Sequence, residues 1–125
     1  MPERPINPAN GKFTITGRRN IDIDLGNNDV SKFVVVQKDM DPTVPAQWNG
    51  VTIDWFVSFG VRVRNADGSH GNFAAITYNV TLDPIPAGKR LFAFYNGQVQ
   101  PLSFQTAGSR IRFSLNVGDP PVGIG

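Results

Sequence analysis

The chain has 125 residues, of which 40% are hydrophobic and 18% are charged, and its formal net charge is +2 at pH 7. This length suits one domain with its own hydrophobic core. The lack of cysteine excludes disulfides and thiolate metal sites, and the small net charge gives no argument for binding nucleic acid. No apolar run approaches the ~20 residues of a membrane-spanning helix.

The first segment, residues 1–11, carries prolines at positions 2, 5 and 8. Proline at every third position opposes helix and favours extended backbone, so we expect an extended N-terminal arm here. This segment also lacks the apolar stretch of a signal peptide. We therefore expect the protein to act in a virion or a cytoplasmic assembly, or outside the cell if a leader precedes this sequence.

Alternation of apolar and polar residues predicts strands through most of the remaining chain. In the clearest run, Val51–Arg64, every odd-numbered residue is apolar, and Phe56 is the one apolar residue at an even position besides Gly60. A period of two places these sets on opposite faces, so the run predicts a long strand with one buried face. It exceeds the usual strand of about 5–6 residues, and we expect a bend or bulge near Gly60.

Further strands follow from the same pattern and from turn signals. In chain order, the predicted strands are Lys12–Thr16, Asn20–Leu25, Lys32–Gln37, Val51–Arg64, Phe73–Leu82, Lys89–Tyr95, Gln98–Phe104 and Ser109–Val117. The run Phe33–Val36 is apolar throughout, which is typical of a strand buried on both faces. Asn96-Gly97 is a strong hairpin signal, and Pro101 predicts an edge strand. The tail, residues 118–125, predicts an extended segment without helix.

These patterns predict an all-β protein. We expect an antiparallel two-sheet sandwich of seven or eight strands, immunoglobulin-like or jelly-roll-like. One-sided alternation supports it, because each sheet then has one face on a shared core and one toward solvent. The sandwich is expected over residues 12–117, with extended arms at residues 1–11 and 118–125.

No set of residues supports an enzyme. The one histidine, His70, lies in a glycine-flanked loop, and no serine lies in a G-x-S-x-G turn. Asp22 and Asp24 share a strand face, but exposed acids at i and i+2 are common on alternating strands. No run of acids has EF-hand spacing. We therefore expect no catalytic residue, no cofactor and no metal site.

Aromatic side chains supply the first candidate binding surface. Trp55 is in phase with the buried face, whereas Phe56 points to the other face, which Phe92 and Phe94 can join. Trp48 lies in a proline-rich loop. Exposed aromatics stack sugars in carbohydrate-binding modules and pack against neighbours in structural subunits. We favour packing against a neighbour.

Two arginine pairs supply the second candidate surface. Arg62 and Arg64 lie on the outward face of one predicted strand, and Arg110 and Arg112 on that of another. If the two strands share a sheet, the four guanidinium groups form a basic strip that can grip nucleic acid or an acidic protein. Alternatively, these charges keep the strand faces solvated. Because the net charge is small, we do not expect nucleic acid as the partner.

Two segments near the end of the chain share aromatic and glycine residues. Residues 91–98 read LFAFYNGQ, and residues 108–115 read GSRIRFSL. An aromatic strand, a glycine turn and a glycine-led strand resemble the closing strands of bacterial Ig-like "choice-of-anchor" domains. Gly118-Asp119 stands where the tail of those domains begins, although the repeated aspartates that usually follow are missing. The resemblance implies an extracellular, non-catalytic surface module, and no functional residue carries over from it.

The sequence therefore predicts a non-enzymatic structural or interaction module, an accessory or decoration subunit of a virion or cell-surface assembly. We expect it to contact protein neighbours, either copies of itself or other subunits, through its terminal arms and the face around Phe56. The alternative is a carbohydrate-binding module that uses Trp48 and exposed aromatics, with a glycan as the ligand. The candidate binding residues are Phe56, Arg62, Arg64, Trp48, Arg110 and Arg112.

Overall fold

The fold, seen in a computed structural model of the chain, consists almost entirely of β-strands. The structure describes residues 4–40, 46–95, 97–116 and 121–125. The first strands are β1 (Arg4–Ile6), β2 (Lys12–Ile15), β3 (Ile21–Asp24), β4 (Phe33–Met40), β5 (Ala46–Trp48), β6 (Val51–Ile53) and β7 (Trp55–Arg64). They are followed by β8 (His70–Phe73), β9 (Tyr78–Leu82), β10 (Leu91–Tyr95), β11 (Gln98–Pro101), β12 (Gln105–Ala107), β13 (Arg110–Leu115) and β14 (Pro121–Ile124).

Two antiparallel sheets pack together, which confirms the predicted all-β sandwich. The large sheet has seven strands, in the order β1-β4-β7-β14-β10-β11, with β8 also paired to β7. The small sheet has five strands, in the order β12-β13-β9-β3-β2. Strands β5 and β6 form a separate two-stranded hairpin.

The core lies between the inner faces of the two sheets and follows the alternation in the sequence. On the small sheet, the buried inner residues are Phe13, Ile15, Ile21, Ile23, Tyr78, Val80, Leu82, Ile111, Phe113 and Leu115. Phe59 of the large sheet meets Tyr78 edge to face, with ring centroids 6.3 Å apart. Such an aromatic pair adds about 0.5–1.5 kcal/mol to the effect of burial. The two sheets are therefore joined by specific contacts as well as by apolar area.

Strand β4 is buried on both faces, as its apolar run predicted. Val35 belongs to the core, whereas Val34 and Val36 point to the outer face and are also buried. On that face, their cross-strand neighbours in β7 are Arg62 and Gly60.

The long run Val51–Arg64 forms two strands instead of one. The chain bends at Asp54, so that β6 pairs with β5 while β7 enters the large sheet. Strand β7 continues unbroken through Gly60, where a bend was expected. The register with β4 shifts between Gln37 and Asp39, opposite Phe59 and Ser58, and the register with β8 shifts between Arg62 and Arg64. A change of sheet at Asp54 therefore divides the run.

Of two other predicted strands, one divides between the sheets and one is shorter than expected. Within Phe73–Leu82, β8 ends in the large sheet and β9 begins in the small sheet; Gln98–Phe104 ends early, at Pro101. Where the chain passes from one sheet to the other, the alternation continues, because both sheets face the same core. The sequence pattern therefore does not show where the chain changes sheet. Strand β11 lies at an edge of the large sheet, as Pro101 predicted.

Both ends of the chain contribute strands to the large sheet. Arg4–Ile6 forms β1 and pairs with Val35–Gln37 of β4. Pro121–Ile124 forms β14, an interior strand between β7 and β10. The composition of the expected arms correctly predicted extended backbone, but it could not show that strands of the same chain would pair with them. Residues 1–3 and 117–120 lie outside the described residues.

Candidate functional site

The four arginines do not form one basic strip. Arg62 and Arg64 lie on β7 in the large sheet, whereas Arg110 and Arg112 lie on β13 in the small sheet. Since the sheets pack through their inner faces, the outward side chains of these two strands point away from each other. The condition for the predicted strip, that both strands share a sheet, is therefore not met.

Arg110 belongs to a polar network that holds the small sheet together. Its Nη1 donates to Oδ2 of Asp22 at 2.6 Å, and its Nε donates to Oδ1 of Asp83 at 3.2 Å. Its Nη2 donates to the carbonyl oxygens of Asn20 and Thr81, at 2.8 and 3.3 Å. These bonds connect β13 with β3 and with the β9–β10 connection, so the guanidinium of Arg110 is engaged within the protein.

This network holds Asp22 in its charged form. Partial burial by itself raises the pKa of the Asp22 carboxyl, but hydrogen bonds from Thr14 and Arg110, together with the charge of Arg110, outweigh burial and lower it. Asp24 is also engaged, because its Oδ1 accepts a bond from the N–H of Gly26 at 2.8 Å. Both aspartates therefore have structural roles.

Arg62 and Phe73 form a stacked pair on the outer face of the large sheet. They are cross-strand partners in β7 and β8, and the guanidinium carbon lies 4.1 Å from the ring centroid. Nη1 of Arg62 also donates to the carbonyl oxygen of Gly71 at 2.9 Å. Nζ of Lys38 lies 5.5 Å from the same centroid. Phe73 remains 38% exposed, so an aromatic ring with two cations against it faces outward.

The phenylalanines of the expected aromatic face are largely covered. Phe92 is buried, and Phe56 and Phe94 are half-buried. Phe56 and Phe92 both pair with Gly123, because β14 lies between their two strands. The side chain of Trp48 lies outside the described residues. These three phenylalanines therefore form no exposed strip.

Apolar side chains are exposed where β7 extends beyond the small sheet. Val61 and Val63 share the inner face by alternation, yet Val61 is buried and Val63 is 40% exposed. Strand β7 has ten residues, whereas the longest strand of the small sheet, β13, has six. The small sheet therefore leaves the last part of β7 uncovered. The sequence pattern placed Val63 in the core, because alternation indicates the direction of a side chain but not whether another strand packs over it.

A cavity of about 240 Å³ opens at this place. Its walls are both apolar and polar. Val30, which is 36% exposed, lies there with Phe33, whereas Arg64 and His70 add polar groups. Residues 5–8 of the N-terminal segment form a further part of the lining. We call this surface the open end. It comprises Val30, Phe33, Val63, Arg64, His70 and Phe73.

A groove of about 560 Å³ lies on the outer side of the small sheet. Its lining includes Phe104, Gln105, Arg112, Asn79 and Ser114. Phe104 is 42% exposed, and the hydroxyl of Ser114 donates to Oδ1 of Asn79 at 2.8 Å. An exposed ring beside amide, hydroxyl and guanidinium groups can bind a polar ligand with apolar faces, such as a sugar. Sequence reasoning missed this groove because it treated Phe104 as the end of a strand.

The described residues contain no group of three acidic or histidine side chains that could hold a metal ion. His70 lies in β8 opposite Arg64, and not in a loop as expected. Oδ1 of Asp67 accepts bonds from the hydroxyl and the N–H of Ser69, which lower the pKa of Asp67. This carboxylate therefore shapes the turn between β7 and β8.

In the part of the chain that the structure describes, no helix is long and apolar enough to cross a membrane. Comparisons with family models, curated proteins and solved structures found no match to this chain. The surfaces described above therefore provide the grounds for proposing a function.

Proposed function

We propose that this chain is a non-enzymatic interaction module, an accessory or decoration subunit that contacts a protein neighbour of a larger assembly through its open end. The supporting observation is a cluster of exposed apolar residues. Val30, Val63 and Phe73 are three of the four large hydrophobic residues found exposed in the described ranges. All three lie near the end of β7, with Val63 opposite Phe33 toward the inner face and Phe73 opposite Arg62 on the outer face. Single exposed apolar side chains are ordinary, but a cluster of them marks an interaction site.

The charges at the open end favour a neighbour with acidic groups. Arg64 is exposed there, and the guanidinium of Arg62 stacks on Phe73. Arginine and aromatic residues are enriched in protein interfaces, where they surround an apolar centre. The neighbour is expected to insert an apolar side chain into the cavity and to place carboxylates near the two arginines.

The N-terminal segment takes part in the open end as a piece of the folded sandwich, because Pro5, Ile6, Asn7 and Pro8 line its cavity. Strands β1 and β14 both use their backbone groups within the large sheet. The described parts of the expected arms therefore stabilise the sandwich itself. The neighbour at the open end is either another copy of this chain or a different subunit.

Photo-crosslinking from the open end tests this function. Replacing Phe73 by a photoreactive phenylalanine analogue is expected to give a defined crosslinked species, in purified protein if the neighbour is a copy and in extracts of the source cell if it is another subunit. The additional substitution Val63→Asp should abolish that product. The same analogue at Ala107, an exposed residue of β12, serves as the control. Identical products from both positions, or none from position 73, contradict the proposal.

The groove on the small sheet supports carbohydrate binding as a second candidate function. The exposed Phe104 ring offers a stacking surface, and Gln105 and Arg112 offer hydrogen-bond donors to sugar hydroxyls. This site differs from the expected one, which relied on Trp48 and Phe56. A glycan array should give signals that Phe104→Ala removes and Phe73→Ala leaves intact. An array without signals would rule out this candidate.

A further inference from the structure

The two arginines on the outer face of the small sheet differ in their partners. Arg110 and Arg112 lie at i and i+2 on β13, so their side chains project on the same face. The guanidinium of Arg110 forms ion pairs with Asp22 and Asp83. In contrast, the side chain of Arg112 is exposed and makes no ion pair or hydrogen bond with any described residue. Arg112 therefore carries a positive charge that no described carboxylate neutralises.

The groove of about 560 Å³ on this face places Arg112 among neutral polar groups. Gln105 is the cross-strand partner of Arg112. Ser114, two residues further along β13, is the cross-strand partner of Asn79. Because directly opposed residues project to the same side of a sheet, all four side chains stand on the outer face. The described lining of the groove contains no carboxylate, so Arg112 supplies its charge.

Much of the hydrogen-bonding capacity in the groove is unused by the protein. The hydroxyl of Ser114 donates to Oδ1 of Asn79 at 2.8 Å. This bond orients the amide and leaves its N–H groups as donors without an acceptor in the described ranges. The side chain of Gln105 also bonds to no described residue, so it offers both donors and an acceptor. Sugar hydroxyls both donate and accept hydrogen bonds, and they match this mixture.

The nearest acidic residues on the same face do not compensate for the charge of Arg112. Asp22 lies two strands away, in register with Arg112 through Thr81. At ~4.8 Å per strand, this separation is about 10 Å, which exceeds the Debye length of about 8 Å in physiological salt. Asp22 is also bound by Arg110, and Asp24, the next acid on β3, does not line the groove. The groove therefore keeps a net positive charge.

We propose that this groove binds a sugar that carries a carboxylate, with the guanidinium of Arg112 as the partner of that carboxylate. The inference rests on carbohydrate binding, the second function proposed above, and names the class of sugar. A guanidinium binds a carboxylate through two parallel hydrogen bonds. A neutral sugar that covered Arg112 would remove water from an unpaired charge, which costs free energy. The amides of Asn79 and Gln105 bind hydroxyls, and Phe104, which is 42% exposed, packs against an apolar face of the sugar.

A glycan array with matched acidic and neutral ligands tests the class of sugar. The array presents glycans that carry a uronic or sialic acid, beside the same glycans after chemical reduction of the carboxylate to a hydroxymethyl group. The acidic glycans are expected to give signals, and reduction should weaken binding of the strongest one by about tenfold, as loss of a hydrogen bond to a charged group does. Equal signals from both forms would overturn this inference and leave carbohydrate binding intact. No signal from either form would overturn both.

A matched pair of variants separates binding in the groove from general attraction by charge. Arg112→Gln removes the groove cation and is expected to raise the Kd for the strongest acidic glycan about tenfold, measured by calorimetry, while the Kd for the reduced glycan stays the same. Arg64→Gln removes the same charge from the exposed end of β7 and should leave both values unchanged. Both arginines are exposed, so neither substitution should disturb the fold. If the two variants weaken binding of the acidic glycan equally, the inference is wrong.

Discussion

Nη1 of Arg110 lies 2.6 Å from Oδ2 of Asp22, and this ion pair connects β13 with β3 across the intervening strand β9. The two side chains are 25% and 23% exposed, so water screens their attraction only in part. Oδ1 of Asp83 lies 3.2 Å from Nε of the same arginine. One guanidinium therefore links three segments of the small sheet.

Arg110→Ala is expected to lower the free energy of unfolding by about 2–3 kcal/mol, because two partly buried carboxylates lose their donor. Arg112→Ala is the matched control on the same strand, since Arg112 is exposed. Its effect should stay within about 0.5 kcal/mol. Urea unfolding with an unchanged m value measures both effects. Equal effects would show that the network contributes no more than a surface arginine.

Stability is expected to decline below about pH 4, the ordinary pKa of an aspartate. Folding lowers the pKa of Asp22, so the unfolded chain takes up this proton at a higher pH than the folded chain. The contribution of Asp22 is therefore fully present above the unfolded pKa and is lost as the pH falls through the folded pKa.

Asp22→Asn provides the test of this pH dependence. The variant should have a lower Tm at neutral pH and a shallower decline in acid, measured by thermal melts across that range. Asp29 and Asp67 should leave a residual decline, because bonds from Ser31 and Ser69 lower their pKa values too. A variant with the same acid dependence as the wild type would show that Asp22 does not contribute.

Val61 and Val63 should differ in what they contribute to stability, although both point to the inner face. Val61→Ala is expected to cost about 2 kcal/mol, because it removes buried methyl groups and leaves a cavity. Val63→Ala should cost less than about 1 kcal/mol, because Val63 is already in contact with water. Urea unfolding of both variants measures the difference. Equal costs would mean that a neighbour covers Val63 in solution, which the native mass from light scattering would reveal.

Removing residues 1–7 is expected to destabilise the fold, because Arg4–Ile6 is a strand of the large sheet. Removal of an arm that pairs with no strand would leave the stability unchanged. Strand β1 pairs with Val35–Gln37 of β4, and Ile6 packs against the core. The deletion exposes an apolar strand edge, and such edges pair with other chains. We expect a lower Tm and association that increases with protein concentration, measured by light scattering. Arg4→Ala, which keeps the backbone of β1, should leave both properties unchanged. An unaltered Tm after the deletion would contradict a structural role for β1.

Local pattern predicted the fold class well and the binding surfaces poorly. Ile111, Phe113 and Leu115 are buried as alternation predicted, because the direction of a side chain on a strand depends on parity alone. The same rule could not place Arg62 relative to Arg110, because it does not say which sheet a strand joins. Phe92 was considered for an exposed face but is buried, and the guanidinium carbon of Arg90 lies 5.1 Å from its ring centroid.

The sequence by itself determined the all-β class, the core-facing residues and the doubly buried β4, because each depends on side-chain period and apolar content. Tertiary structure decided where the chain changes sheet, how the terminal segments pair and which surfaces stay open. Val63 is exposed because β7 extends beyond the end of the small sheet. Arg18, Arg19 and Lys89 line one cavity because the β2–β3 turn and the β9–β10 connection lie at the same end of the sandwich. Such relationships join residues distant in sequence, and a local pattern contains no information about them.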